Sequence, residues 1–204
     1  MFEMVPEGLT SALEIGCGHG VFGELLKKKF GMKVWGVEIE PAPAKSAANR
    51  LDKVLVGDIG ELMPKLPDRS FDLIVANDVL EHMVDPFQVL TKLKKKLTKN
   101  GYILSSIPNI RNFHVLYALA VGGEWEYQES GILDRTHLRF FTKKSIQKMY
   151  ERLGYTVITH HGIHPMQVEP KQYRLIKLLG GAKVEDMRYE QIATLATVSA
   201  SKRK

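Results

Sequence analysis

The sequence predicts an α/β fold with a mostly parallel sheet, and three observations predict it. Five short apolar runs alternate with helically patterned segments between residues 12 and 107. The first run breaks into a loop with glycine at every second position, Gly16-Cys17-Gly18-His19-Gly20. Successive runs end in acidic or amide residues. Strand patterns alternating with helix patterns give right-handed crossovers and parallel strands. Their carboxyl ends then share one edge, the edge at which such sheets bind ligands.

Residues 1–11, with Pro6 and Gly8, read as a short lead-in, and 12–15 as the first strand. Glycine suits a following loop that must turn sharply or admit a ligand closely. Val21, Phe22, Leu25, Leu26 and Phe30 recur at helical spacing, and Gly31 stops that helix as a C-cap. Residues 33–37 form the second strand, ending at Glu38; Pro41 opens a helix to about Leu51. Residues 53–56 form the third strand, ending at Gly57-Asp58. After a polar stretch with Pro64 and Pro67, residues 71–76 are nearly all apolar, as in a strand covered on both faces. Asp85-Pro86 is an N-cap and first-turn pair. The stripe Phe87, Leu90, Leu93, Leu97 extends that helix to a stop at Asn100-Gly101. Residues 102–107 are the fifth strand, stopped by Pro108. The long, aromatic, irregular stretch 109–141 reads as functional or as a small cap. Thr142 caps a helix to 153, Gly154 stops it, and 155–159 form a sixth strand. Residues 173–179 read as helical, and 192–198 as the final strand before a basic tail. The whole, 1–204, reads as one domain with a substrate-side insertion at about 109–141.

With 44% hydrophobic and 25% charged residues, the 204-residue chain can bury a real core. Cys17 is the only cysteine, which excludes an internal disulfide. No signal-peptide pattern opens the chain, and its best apolar run, 113–121, is far too short to span a membrane. A cytoplasmic location is expected. A net charge of +6 admits nucleic acid or an anionic membrane surface as a partner. The lysines, however, fall in short runs at 27–29, 94–96, 143–144 and the tail Lys202-Arg203-Lys204. The first two sit late in expected helices, where cations suit the dipole. They read as solvated helix faces rather than a binding stripe.

The strand ends carry the chemistry. Glu38 can accept two hydroxyl hydrogen bonds from a ribose, Asp58 can accept from an adenine amino group, and Ile39 and Ile59 can sandwich the base. Each has a plainer reading: Glu38 a surface carboxylate, Asp58 a helix cap. Glu14 contacts the ligand or braces the loop. Asn77 and Asp78 contact the ligand or form a turn. Cys17 reads as a small packing residue and His19 as exposed beside the ligand. Gly18-His19-Gly20-Val21-Phe22-Gly23 matches the G-x-G-x-x-G dinucleotide fingerprint, with Glu38 at a suitable distance. The first glycine after the strand is Gly16, however, and counting from it the third glycine position falls on Val21. A nicotinamide dinucleotide is thus the lesser alternative.

Glu14-Ile15-Gly16-Cys17-Gly18-His19-Gly20, the strand-end Glu38, Gly57-Asp58-Ile59 and Asn77-Asp78-Val79-Leu80-Glu81-His82 resemble the motifs of class I S-adenosylmethionine-dependent methyltransferases, in order and spacing, from 12 to 107. The resemblance implies a doubly wound, Rossmann-like sheet of seven strands, mostly parallel, with the last strand antiparallel: 192–198 beside 155–159. It implies S-adenosylmethionine as cofactor and S-adenosylhomocysteine as product. Glu14 and the loop Gly16–Gly20 would hold the methionine end, Glu38 the ribose, Asp58 with Ile59 the adenine, and Asn77 would lie beside the methionine end. The helices that usually precede the first strand are almost absent, so the cap over the cofactor comes from elsewhere or the chain is part of something longer. No metal ligand set is read from the sequence.

A sulfonium methyl is already activated, so positioning dominates. A base helps when the nucleophile starts as a hydroxyl. The base candidates are His82, His114, Asp134 and His137. His82 also reads as a structural histidine tying its loop to the sheet. His137 is favoured because 134–141 interleaves charged residues with aromatics, as a polar substrate pocket would; the plainer reading is a salt-bridged loop. That block also resembles a bacterial methyltransferase group associated with cell-surface sugar or polysaccharide synthesis. Trp125 and Tyr127 would stack on a sugar face or pack a lid. The leading expectation is O-methylation of a small polar, sugar-containing acceptor. An RNA or protein methyltransferase has only net charge behind it, and Asn77-Asp78-Val79-Leu80 lacks the Asn/Asp-Pro-Pro-Tyr/Phe element of nucleobase N-methylation. A non-catalytic S-adenosylmethionine-binding module is the remaining alternative. Oligomeric state is not legible.

Overall fold

The structure, a computed structural model, describes residues 1–198; the basic tail Lys202-Arg203-Lys204 lies outside the described residues. In chain order the elements are β1 (Ser11–Ile15), α1 (Val21–Phe30), β2 (Lys33–Glu38), α2 (Pro41–Ala47), β3 (Lys53–Val56), the short α3 (Ile59–Leu62), β4 (Phe71–Asn77), α4 (Pro86–Leu93) and β5 (Leu97–Pro108). There follow α5 (Phe113–Tyr117), α6 (Lys143–Arg152), β6 (Tyr155–Pro165), α7 (Lys171–Gly180) and β7 (Tyr189–Val198). The strands form one seven-stranded sheet in the order β3-β2-β1-β4-β5-β7-β6. Pairing from β3 to β5 is parallel, whereas β7 runs antiparallel to both β5 and β6. The seven-stranded sheet with an antiparallel last strand is therefore the fold that the strand-end motifs imply.

Alternation along β1 explains the two-sided core. Leu13 and Ile15 join Ile74, Leu90, Ile146 and Tyr150 on one face; Ala12 joins Leu26, Val34 and Ala47 on the other. Both faces of the inner strands are covered, so Leu73, Ile74, Val75 and Ala76 have no solvent exposure. Register brings the carboxyl ends together: Ile15 pairs with Val37 and Ala76, Glu38 with Val56, and Asn77 with Ser106. α6 docks by Ile146, Met149 and Tyr150. It opens on a capping box in which Thr142 and Ser145 satisfy each other's backbone N–H.

Several expectations need correction. α2 ends at Ala47 rather than Leu51; Leu51 turns inward and packs beside Gly23 and Gly36, where a side chain on either glycine would collide with it. α4 ends at Leu93, and Leu97 is already in β5, paired with Phe71. The ladder then shifts register to Leu73 opposite Tyr102, so Asn100-Gly101 lies within a strand at that irregularity and does not end a helix. Lys94-Lys95-Lys96 follow α4, and Lys96 is buried, its Nζ donating to Leu66 O at 2.7 Å and pairing with Asp68. It is no solvated face. Residues 109–141 are partly helical, with α5 running into a π-turn at Ala118–Gly122. β6 runs on to Pro165, well past Thr159, because β7 begins at Tyr189 and keeps pairing with it. No helix among the described residues is long and apolar enough to cross a membrane.

α6 is tied to the sheet by a buried hydrogen bond, Tyr150 Oη to Ser105 Oγ, 2.8 Å, with both residues fully buried. Removing one partner leaves the other desolvated and unpaired. Tyr150→Phe is expected to cost about 1–2 kcal/mol in urea unfolding, with the chain still folded.

Candidate functional site

The glycine loop is fastened at both ends by carboxylates. Glu38, at the tip of β2 and 7% exposed, accepts from Gly18 N at 2.7 Å through Oε2 and from Glu40 N at 3.0 Å through Oε1. Cys17 N donates to Val37 O at 3.1 Å. Glu14, 3% exposed, accepts from Gly23 N at 3.0 Å, bracing the first turn of α1. Burial pushes the Glu14 carboxyl up to about 8. Gly16 and Gly18 take positive φ, +64° and +52°, for different reasons. A Cβ on Gly16 would sit 2.5 Å from Val79 Cγ2, whereas one on Gly18 would meet nothing within 4 Å. The space beside Gly18 is open, as a ligand requires.

Glu38 and Asp58 share one rim. Glu38 pairs with Val56, and Gly57 N donates to Glu38 O at 2.9 Å, which sets Asp58 just past that contact. Asp58 Oδ1 accepts from Gly60 N at 2.7 Å, so it also caps α3. A cleft of about 480 Å³ lies there, lined by Gly16, Ile39, Asp58, Ile59, Val79 and His82. The two isoleucines expected to flank the base are unequal: Ile39 is 62% exposed and Ile59 5%. Cys17's side chain is buried in the core, with burial pushing its thiol up to about 12, so the loop presents its backbone there. His19 is exposed, and its carbonyl accepts from Arg50. Asn77 Oδ1 is buried with no hydrogen-bond partner. Asp78, at φ +52°, forms the turn after β4 and accepts from Gln191 Nε2 at 2.9 Å.

Beyond His82 lies a second pocket of about 250 Å³. Four acids, Asp78, Glu81, Asp134 and Glu190, line it with His82 and His137, and no lysine or arginine does. His82 lines both cavities. Glu81 is 1% exposed, neither of its carboxyl oxygens has a partner, and burial pushes it up to about 8. Its backbone carbonyl accepts from Leu138 N and Arg139 N at 2.9 and 3.0 Å, which holds the 134–139 loop against the turn after β4. The His82 and His137 rings meet edge to face at 4.7 Å. His137 Nδ1 lies 3.0 Å from Ile132 O. Asp134 Oδ1 accepts the Thr136 hydroxyl at 2.6 Å, so Thr136 Oγ1, 3.0 Å from His82 Nδ1, is left to accept. Those hydrogen bonds place the ring proton of each histidine on Nδ1 and the lone pair on Nε2. The same Thr136 donors hold Asp134 below the usual carboxylate range.

The other acceptor-side candidates lie apart from this pocket. His114 is exposed on α5. Trp125 and Tyr127 are 37% and 52% exposed, Trp125 resting edge-on against Phe140 at 5.4 Å. Glu81 belongs to the Asn77–His82 motif, yet it is not among the residues expected to hold cofactor or acceptor. Its one signal in the sequence is adjacency to His82; its burial and lack of partners emerge only from the fold. A larger cleft, about 1140 Å³, opens between the start of α6, β6 and residues 182–189, and contains none of the expected site residues.

The methyltransferase domain family matches residues 6–160. Among relatives, a trans-aconitate 2-methyltransferase of Agrobacterium fabrum is 30% identical over 136 residues, 64% of this chain and 53% of that protein. A ubiquinone biosynthesis O-methyltransferase of Histophilus somni is 29% identical over 134 residues, 60% of this chain and 56% of that protein. The chain thus spans little more than half the length of these curated relatives. In structure it is similar to a SAM dependent methyltransferase from Archaeoglobus fulgidus, with TM-score 0.66, 22% identity, and coverage of 94% of this chain and 87% of that one.

The raised Glu14 carboxyl has a consequence for stability. Between its ordinary 4.5 and about 8 the folded chain binds a proton that the unfolded chain does not. Stability therefore falls as pH rises through that window, by at most about 1.4 kcal/mol per pH unit from this group. Glu14→Gln keeps an acceptor for Gly23 N and cannot ionise. Its melting temperature is expected to gain on that of the wild type between pH 5 and pH 8; a constant difference would remove Glu14 as the cause.

Proposed function

The chain belongs to the methyltransferase domain family, the class I S-adenosylmethionine-dependent methyltransferases, and we propose that it methylates a hydroxyl oxygen of a small polar, sugar-containing acceptor. The observation that carries this reading is His82, the shared wall between the glycine-loop cleft and the acidic pocket. Cofactor and acceptor would meet across it.

The residues in and beside the cleft suit an adenosyl ligand. Glu38 is buried, held by two backbone N–H groups, and keeps lone pairs for ribose hydroxyls. Asp58 lines the cleft with Ile39 and Ile59, and the three would meet the adenine. The open flank of Gly18 and the unpartnered Asn77 Oδ1 would receive the methionine portion, with Gly16, Cys17, His19 and Gly20 contributing backbone and Glu14 bracing the turn. S-adenosylmethionine, when bound, supplies a sulfonium methyl already activated for displacement.

The chain's own residues would then position the acceptor and manage one proton. His82 and His137 line the acidic pocket, where an acceptor hydroxyl would lie, and with Nδ1 engaged each keeps Nε2 as its lone-pair nitrogen; His137, the more buried, is the favoured proton acceptor. Asp134 acts through Thr136 to fix the His82 tautomer. The segment 109–141, which supplies Asp134 and His137, would cap the acceptor side, with Trp125 and Tyr127 available to a sugar face. Acidic side chains with no lysine or arginine among them line the pocket and oppose a phosphodiester acceptor, so the net positive charge does not favour an RNA substrate.

Calorimetric titration with S-adenosylhomocysteine should show one site per chain, with Glu38→Ala weakening it about 10–100-fold, the worth of one or two hydrogen bonds to a charged group. Preference for NADH, or no S-adenosylhomocysteine binding, would overturn the reading. Release of S-adenosylhomocysteine on addition of polyol or sugar acceptors tests the acceptor class, and full turnover by His137→Ala would remove that base.

A further inference from the structure

We propose that Glu81, His82 and His137 form a binding site for a divalent transition-metal cation, of the Zn²⁺, Mn²⁺ or Co²⁺ kind. One ligand atom from each lies within 4.8 Å of the other two. With metal–ligand bonds of about 2.0–2.2 Å, ligand atoms sit roughly 3–4 Å apart, so only a small closure of the three is needed. The cluster is assembled before any cation arrives: Glu81 and His82 sit on the turn after β4, and the N–H groups of Leu138 and Arg139 clamp the loop bearing His137 onto Glu81 O.

Three further observations point to a cation. The Glu81 carboxyl is 1% exposed with neither oxygen hydrogen-bonded, a costly arrangement for a group with no partner. The pocket gathers four acids and no lysine or arginine, although the chain carries a net charge of +6. Each histidine has its Nδ1 against an oxygen, Ile132 O for His137 and Thr136 Oγ1 for His82, the outer contact by which metal-binding imidazoles are oriented with Nε2 toward the metal. Two imidazoles and one carboxylate suit a first-row transition ion better than Mg²⁺ or Ca²⁺, which prefer all-oxygen shells. Three protein ligands leave positions open, as in catalytic rather than structural sites.

Resting on the proposed function, the open positions would take the acceptor's hydroxyl, and an acceptor with two adjacent oxygens would hold best. The cation would favour the ionised form of that hydroxyl, its proton passing to water, which relieves His137 of acting as the base.

The test uses the untagged chain, stripped with a chelator and dialysed, titrated with Co²⁺ and followed by visible absorption and calorimetry. One equivalent of Co²⁺ is expected to bind. Loss of an outer contact alone typically weakens metal binding about 10–100-fold, so His82→Ala and Glu81→Gln should each weaken it at least tenfold. His82 is exposed, so its variant should fold even if the Glu81 variant does not. His161→Ala, in the other cleft, should change nothing. Absence of saturable Co²⁺ binding, or binding that His82→Ala leaves intact, overturns the proposal. S-adenosylhomocysteine titrated into the same samples separates the two readings. Nucleoside binding without Co²⁺ binding defeats the cation site alone, and Co²⁺ binding without nucleoside binding defeats the methyltransferase reading alone.

Discussion

One carboxylate organises the cofactor edge. Glu38 ends β2, and its two oxygens take the N–H groups of Gly18 and Glu40. A loop with positive φ at Gly16, Gly18 and Gly20 has few conformational restraints of its own. The Glu38 contact converts it into a fixed feature of the sheet edge. The parallel ladder from β3 through β1 sets the rest, because Glu38 opposite Val56 and Ile15 opposite Val37 and Ala76 leave β1 to β4 ending within a residue of one another.

Most of this was legible because parallel strands obey simple rules. Apolar runs 33–37, 53–56 and 71–76 mark β2, β3 and β4 to within a residue, and Gly31 and Thr142 fulfil their capping roles. Where local pattern and long-range pairing compete, the pattern misleads. Leu97 has the spacing of a helix yet pairs with Phe71, and Lys96 looks solvated yet reaches Leu66 O. Neither partner is near in sequence. The two readings of Glu14 and of Asp58 were likewise a matter of where neighbouring amides point. The fold gives Glu14 to Gly23 and gives Asp58 a cap that coexists with its place on the rim.

The acidic pocket was only half legible. His82 and His137 stand out as residue types, but 55 positions along the chain separate them, and no periodicity predicts that their rings touch. Glu81 is harder still: its adjacency to His82 is the one local signal. Only its depth and its lack of a hydrogen-bond partner distinguish it. Local charge at this pocket opposes the chain's net charge, so whole-chain electrostatics says little about what the site accepts.

The claim most of this depends on is that the rim formed by Glu38, Gly18 and Asp58 holds an adenosyl group. Amide spectra of ¹⁵N-labelled chain during addition of S-adenosylhomocysteine test it most directly. The account predicts saturable shifts of the Gly18, Glu40 and Gly60 amides, the three whose hydrogens point at Glu38 and Asp58. Shifts confined to the cleft around Arg111, Lys143 and Lys183, with those three amides unmoved, would contradict it.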